Sequence, residues 1–227
     1  GGPAAKAGIK EGDVILSLDG EPIDPDGNYH DPLYGKIALI HLLSTKHFVG
    51  DKVKFAILRK DEKKDVEVEL EHRAVDSYVS EPYVIDRAPK YFILGGLVLQ
   101  ELSRQYLREF GGEWVERAPQ ELVYFDRYLT DLFEAGPKKI VILSRVLPTP
   151  VTRGYEDLRS LRVTRINGVQ LQSLNDVPEA LAKAANGLHL IEFDSDPSII
   201  FLDAERIAAE EPDLMRAYRV RETKRLN

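Results

Sequence analysis

One short pattern occurs twice along the chain, and it constrains the fold more than any other feature. Residues 13–23 form an alternating stretch that turns at Asp19-Gly20, and residues 161–171 repeat this pattern with a turn at Asn167-Gly168. Asp-Gly or Asn-Gly flanked by alternating apolar residues is a strong signal for a tight turn between strands. The same strand and turn are therefore predicted at two widely separated places.

Each copy of the turn is followed by a helical stretch and then by two strands. Apolar residues at a spacing near 3.6 predict helices over residues 37–46 and 174–185. The predicted strand pairs are 53–59 with 66–70, and 188–193 with 199–202. Because the same order of elements is used twice, the sequence predicts two related modules.

The material around the two copies sets the domain boundaries. We predict a first domain over residues 1–73, a linker rich in proline over 74–89, and a second domain over 90–227. The second domain begins with further predicted elements: a strand at 91–99, a helix at 118–133 and a strand at 139–146. Its last residues read as a helix broken at Pro212 and a basic solvated tail, with docking to an acidic partner as the alternative. Residues 29–34 read as a surface loop.

Composition excludes several classes of function. A chain that is 43% hydrophobic and 30% charged is typical of a folded globular protein. No apolar run approaches the roughly 20 residues of a membrane helix, so we expect no membrane insertion. The net charge of -7 argues against nucleic acid as a partner. The absence of cysteine excludes disulfides and thiol catalysis.

Catalytic and metal-binding patterns are not evident in the sequence. The histidines are scattered, without an i, i+4 pair or a His-Glu-x-x-His pattern. There is no Gly-x-Ser-x-Gly elbow and no glycine-rich phosphate loop between a strand and a helix. The sequence therefore predicts no catalytic residue, no metal and no cofactor in this chain.

The opening residues resemble a known family. Residues 2–15 read GPAAKAGIKEGDVI, which is similar to a motif inside the PDZ domains of HtrA/Deg serine proteases. Residues 91–99, 139–147 and 154–169 are similar to the second, divergent PDZ domain of the branch best known from plants. The resemblance implies an α+β, mainly β fold with two PDZ-like modules, each a small, partly open barrel or sandwich capped by helices.

Two departures from the family pattern matter. The trypsin-like domain, with His, Asp and a Ser in a Gly-Asn-Ser-Gly-Gly context, has no counterpart in residues 1–227. The carboxylate-binding loop of the first module and the strand beside it are expected to lie before Gly1, which would leave the first groove incomplete. The parent protein is expected to be a trypsin-like serine endopeptidase, while this chain carries no triad.

A PDZ groove binds by strand addition: the ligand pairs with a strand edge, and backbone N–H groups of a glycine-containing loop hold its carboxylate. In the second module the resemblance implies a loop at residues 92–95, a pairing strand at 96–100 and a facing helix. The predicted residues of this groove are Phe92, Ile93, Leu94, Gly95, Gly96, Leu97, Val98, Leu99, Leu174, Val177 and Leu181. In the first module they are Ile37, Ile40 and His41. A plain buried strand and a groove occupied by an internal segment remain as alternatives.

The resemblance implies a function in binding rather than in chemistry. The expected partners are peptide or unfolded-protein C-termini, the protein's own protease domain and neighbouring subunits of a homo-oligomer. Binding would regulate substrate access and assembly for proteolysis. The alternatives are a PDZ adaptor without any enzyme and a PDZ-bearing peptidase with a Ser-Lys dyad. The sequence does not distinguish a bacterial cell envelope from the cytoplasm.

Overall fold

The computed structural model describes residues 2–72, 78–82, 85–86, 88–127 and 138–227. Its elements divide into two units, Gly1–Ala74 and Val75–Asn227. Strands predominate in both units, and helices cap the sheets. The predicted α+β, mainly β architecture of two modules is confirmed.

The first unit is built on an antiparallel sheet of four strands in the order β2-β1-β5-β6. Their bounds are β1 Val14–Leu18, β2 Glu21–Pro22, β5 Lys52–Arg59 and β6 Glu62–Glu69. Alternate residues of the long strand β5 point into the core, so Val53, Phe55 and Ile57 are buried while the residues between them are more exposed. The helices are α1 Pro3–Lys6 and α2 Ile40–Lys46.

A hairpin stands where the sequence predicts a loop and the first turn of a helix. It consists of β3 Asn28–Asp31 and β4 Gly35–Ala38. The Asp31 carboxylate accepts hydrogen bonds from the N–H groups of Leu33 and Tyr34, at 2.9 and 3.0 Å. This local bonding forms the turn, so α2 begins at Ile40 and Ile37 lies in a strand.

The second unit contains a sheet of eight strands. Seven follow the order β13-β12-β10-β9-β8-β7-β14, and β11 pairs with β10. Their bounds are β7 Tyr91–Leu94, β8 Leu97–Glu101, β9 Val141–Val146, β10 Leu161–Ile166, β11 Val169–Gln170, β12 Leu188–Phe193, β13 Ile199–Asp203 and β14 Lys224–Arg225.

Helices pack on both faces of this sheet. On the inner face, α6 Val177–Leu181 and the preceding 3-10 turn Leu174–Asp176 join a core with strand residues such as Leu99 and Ile191. On the outer face, Ile140 and Ile142 pack against an insertion that follows β8. The insertion contains α3 Arg104–Arg108, α4 Trp114–Arg117 and α5 Gln120–Arg127. The helix predicted over residues 118–133 and the linker predicted over 74–89 lie partly outside the described residues.

The last helix, α7 Ala204–Tyr218, runs without a break through Pro212, so the predicted break is wrong. A proline removes one backbone hydrogen bond, but contacts with the rest of the unit hold both ends of this helix. The Asp203 carboxylate accepts a bond from the Arg206 N–H at 3.0 Å, and the Tyr218 hydroxyl donates to the Pro148 carbonyl at 2.8 Å. Among the described residues, no helix is both long and apolar enough to cross a membrane.

Candidate peptide-binding site

The predicted ligand-pairing strand of the second unit has partners on both edges. On one edge β8 pairs with β9, where Leu97 lies opposite Val146. On the other it pairs antiparallel with β7, where Tyr91 lies opposite Gln100 and Leu94 opposite Leu97. Strand addition requires a free sheet edge. The sequence leaves open a plain buried strand and a groove occupied by an internal segment. In the structure, β7 of the same unit occupies the edge of β8.

Two glycines connect β7 to β8 in a tight turn. Gly95 has φ +60° and Gly96 has φ +123°, and a Cβ atom on Gly96 would lie 2.5 Å from the carbonyl oxygen of Leu147. The Leu147 N–H donates to the Gly96 carbonyl at 2.8 Å, and the Thr149 hydroxyl donates to the Gly95 carbonyl at 2.7 Å. The segment after β9 therefore fixes this turn and holds β7 against β8.

The residues predicted as a carboxylate-binding loop adopt another conformation. Phe92, Ile93 and Leu94 form part of β7 and are buried. The Ile93 N–H donates to the Thr223 carbonyl at 2.7 Å, so this group is engaged within the unit. Apolar residues that have strands available on both sides favour the extended conformation, which explains the difference from the predicted loop.

The helix predicted as the opposite wall of the groove packs into the core. Leu174 and Val177 are fully buried, and Leu181 packs partly buried against the same cluster. Val98 and Leu181 are the members of the predicted set that keep some exposure. The structure thus brings the predicted residues together around one strand, but with β7 in the position that a ligand would need.

Residues near the C-terminus, which sequence reasoning did not assign to the site, complete this arrangement. β14 pairs with the outer edge of β7, with Lys224 opposite Phe92 and Arg225 opposite Tyr91. The Tyr91 hydroxyl donates to the Glu222 carbonyl at 3.0 Å, and the Arg225 guanidinium lies 5.6 Å from the centre of the Tyr91 ring. Basic residues predicted to be a solvated tail therefore form a strand that secures β7.

In the first unit the three predicted residues lie on neighbouring elements. Ile37 belongs to β4, and Ile40 and His41 open α2. Ile40 is 64% exposed, which is unusual for a large apolar side chain. The first unit therefore presents an open apolar position at the start of its helix, in contrast to the packed helix of the second.

A partly buried hydrogen-bonded cluster holds His41 in place. The Tyr29 hydroxyl lies 2.8 Å from His41 Nδ1 and donates to the Asp31 carboxylate at 3.1 Å. Burial, followed by the nearby Asp31 carboxylate, raises the pKa of Tyr29 above its ordinary value. Hydrogen bonds from the N–H groups of Tyr34 and Leu33 lower the pKa of Asp31. The Tyr29 residue that organises this cluster carries no local signal by which the sequence reveals its role.

Within the parts of the chain that the structure describes, no group of three or more His, Asp or Glu side chains is placed to hold a metal ion.

Comparison with protein families agrees with the division of the chain into two units. The family described as "PDZ domain" matches residues 80–225, and a second family with the same description matches residues 1–70. The chain belongs to the PDZ domain family and contains two such domains.

Curated relatives point to one kind of PDZ-containing protein. The chain is 32% identical to "Protease Do-like 2, chloroplastic" of Arabidopsis thaliana over 85% of its own length and 29% of the relative's. It is 25% identical to "Putative protease Do-like 3, mitochondrial" of the same organism, over 86% of its length and 32% of the relative's. It is 29% identical to "Serine protease DegP homolog" of Plasmodium falciparum (isolate 3D7), over 77% of its length and 18% of the relative's.

The chain thus spans less than a third of the length of these three relatives. The predicted resemblance to the tandem PDZ region of HtrA/Deg-family proteases is confirmed.

Proposed function

We propose that this chain is the ligand-binding PDZ region of a Deg-like serine endopeptidase, and that it controls substrate access and subunit assembly for a protease domain of the same protein. The observation that carries this proposal is the match of two PDZ domains, in order, to Do-like proteases over most of the chain. The proposed ligands are peptide or unfolded-protein C-termini. The proposed partners are the protein's own protease domain and neighbouring subunits.

The geometry supports different roles for the two units. The first unit presents Ile40 and His41 at the start of α2, with Ile40 largely exposed. In the second unit β7 fills the edge of β8, so an added strand would have to displace it. We therefore expect peptides to bind first at α2 of the first unit. We expect the second unit to act mainly as a docking surface for the protease domain and neighbouring subunits.

Peptide titration tests the binding role. Labelled peptides with an apolar last residue are titrated onto the full chain, once with a free carboxylate and once amidated. We expect the free carboxylate to bind more tightly, and Ile40→Asp to weaken binding about tenfold or more because it places a charge in an apolar contact. Val49→Asp, also in the first unit at a residue 67% exposed, is the matched control.

The second groove is tested separately with Leu181→Arg. If β7 leaves readily, this variant weakens binding as strongly as Ile40→Asp does; if β7 stays, it has little effect. Binding that is unaffected by both variants and by amidation would overturn the proposal of PDZ-type recognition.

The link to proteolysis is tested outside this chain. We expect the reading frame upstream of Gly1 to encode His, Asp and Gly-Asn-Ser-Gly-Gly, and the chain alone to leave casein intact. An upstream region without those residues would favour the adaptor function, and a Ser-Lys dyad there would favour the other class of peptidase.

A further inference from the structure

The hairpin of β12 and β13 is largely apolar on both of its faces. The inward residues, such as Ile191, Ile200 and Leu202, are buried in the core. Most of the outward residues are also apolar, and Leu188, Ile199 and Phe201 are 42%, 46% and 53% exposed. Glu192 and Asp203 lie on the same face, opposite Ile199 and Leu188. An antiparallel strand pair that faces water normally alternates apolar and polar residues. This outer face, which we call the β13 patch (Leu188, Leu190, Ile199 and Phe201), is therefore typical of an interaction surface.

The backbone of β13 adds a second feature to this surface. β13 is the terminal strand of the sheet, and no described strand pairs with its outer edge. The Phe193 N–H donates to the Ser198 carbonyl and the Ala204 N–H donates to the Gly187 carbonyl. Because backbone groups alternate in an antiparallel ladder, the N–H and C=O groups of Ile199 and Phe201 point away from β12.

Among the described residues, β13 has few of the usual protections of an edge strand. Natural edges are blunted by lysine, proline, bulges or very short strands. Residues 199–202 are Ile-Ile-Phe-Leu, and the strand pairs with β12 over five consecutive residues without a bulge. The opposite end of the sheet differs, because it ends in a two-residue strand with exposed Lys224 and Arg225.

We propose that β13 pairs antiparallel with β13 of a second copy of this chain, about a two-fold axis at Phe201. In this register Phe201 lies opposite Phe201 of the second copy, and Ile199 lies opposite Asp203. Ile199 and Phe201 direct both backbone groups to the outer edge, so the Phe201 pair can exchange two hydrogen bonds. Asp203 caps α7 and its carbonyl serves the first turn of that helix, so the Asp203 N–H donates to the Ile199 carbonyl of the second copy by a single bond. This inference deepens the assembly role in the proposed function and rests on it.

Charge and shape favour a second copy over an unrelated partner. Asp203 is the one charged residue of β13, and its carboxylate already accepts a bond from the Arg206 N–H. The two-fold register places Asp203 opposite an isoleucine, so no carboxylates face each other. The two β13 patches then join in one apolar strip in the order Leu190, Phe201, Phe201, Leu190. Such a self-complementary patch is what a two-fold interface requires.

The contact is small, so we expect weak association of the isolated chain that strengthens when other subunit contacts hold copies together. Sedimentation velocity of the full chain, from low micromolar to near-millimolar concentration, measures it. We expect the wild type to dimerise as concentration rises and Phe201→Glu to remain monomeric. Phe48→Glu carries the same charge change at an apolar residue 80% exposed in the first unit, and it should dimerise like the wild type.

Cross-linking tests the register. Because the chain has no cysteine, Phe201→Cys introduces a single thiol. Directly opposed residues of antiparallel strands lie within the Cα separation that a disulfide spans. Mild oxidation should therefore convert Phe201→Cys to a covalent dimer much faster than Phe48→Cys. A wild type that stays monomeric, or equal oxidation rates for the two thiols, would overturn the proposal.

These results separate the assembly surface from peptide binding. Phe201→Glu should keep the peptide affinity of the wild type, since Phe201 lies outside the predicted grooves. If peptide binding fails altogether while Phe201→Cys still cross-links, the proposed function loses its binding role and the β13 contact stands.

Discussion

Asn167 and Leu190 exchange two hydrogen bonds across the second unit. The Asn167 N–H donates to the Leu190 carbonyl at 2.8 Å, and the Leu190 N–H donates to Asn167 Oδ1 at 2.9 Å. Asp19 and Lys54 make the same two bonds in the first unit, at 2.8 and 2.7 Å. Both turn residues have positive φ angles, +49° and +46°. The pattern that is repeated in the sequence therefore forms the same two hydrogen bonds in each unit.

Replacing Asn167 with glycine distinguishes the contribution of its side-chain hydrogen bonds from that of the turn's backbone conformation. Asn167→Gly keeps the favourable backbone conformation, but leaves the Leu190 N–H and the Ala180 carbonyl without their side-chain partner. We expect a loss of about 1–3 kcal/mol in the free energy of unfolding. Trp114, the one tryptophan of the chain, lies in the second unit, so its fluorescence during urea unfolding reports this change. Asn186→Gly, at an exposed turn residue with φ +54°, should cost much less.

Acid should weaken the first unit through Asp13. The Arg59 guanidinium donates to both Asp13 carboxylate oxygens, at 2.6 and 2.7 Å. These bonds, followed by one from the Lys10 N–H, lower the pKa of Asp13 from 3.8 to about 2. The folded unit therefore binds this proton more weakly than the unfolded chain does. Its stabilising contribution is present above about pH 4 and is lost as the pH falls towards 2.

Hydrogen exchange in β5 measures this effect on the first unit. Asp13→Asn should reduce protection at pH 6 and lessen the decline in protection between pH 4 and 2. Glu67→Gln removes one partner of the Lys52–Glu67 pair, in which both side chains are 62% exposed, and it should change protection little. Equal effects of the two variants would contradict the assignment to Asp13.

The second unit should lose stability below neutral pH because of His189. This histidine is 8% exposed, and burial lowers its pKa from the ordinary value of 6.5. The unfolded chain takes up the proton more readily, so the free energy of unfolding falls as the pH drops below about 6.5. The other four histidines lie in the first unit, so unfolding monitored by Trp114 isolates this one. His189→Gln should flatten the difference between pH 7.5 and pH 5.

The β7–β8 turn should tolerate no side chain at Gly96. Gly96→Ala forces a Cβ atom against the Leu147 carbonyl in a strained backbone conformation, and we expect a loss of about 3 kcal/mol. Gly154 also has a positive φ, +92°, but a Cβ atom there meets nothing within 4 Å. Gly154→Ala should cost about 1 kcal/mol, from strain alone. Similar losses in the two variants would mean that the approach of Leu147 does not constrain the turn.

Short sequence patterns correctly predicted the parts of the fold that depend on hydrogen bonds and backbone angles of neighbouring residues. The Asp19-Gly20 and Asn167-Gly168 turns are visible because the turn requires those residue types. The same rules were wrong at Pro212, where contacts at both ends of α7 outweigh the lost hydrogen bond. They also missed the β3–β4 hairpin, whose turn depends on the side chain of Asp31.

The state of the groove could not be predicted in this way. Whether β8 has a free edge depends on which distant segment pairs with it, and the apolar run at residues 91–99 fits a ligand-binding strand as well as a hairpin. The strand that secures β7 has only two residues, Lys224 and Arg225, and neither carries a pattern typical of strands. Long-range pairing of such short, charged segments leaves no periodic signal in the sequence.

The two ends of the second unit's sheet have opposite characters, and this limits how copies can join. Lys224 and Arg225 close one end with a strand that is too short and too charged to pair readily with another strand. At the other end, no strand within the described residues pairs with the outer edge of β13. The proposed symmetric pairing would occupy this β13 edge in each copy. Growth by this contact therefore stops at a pair and cannot propagate into a fibre.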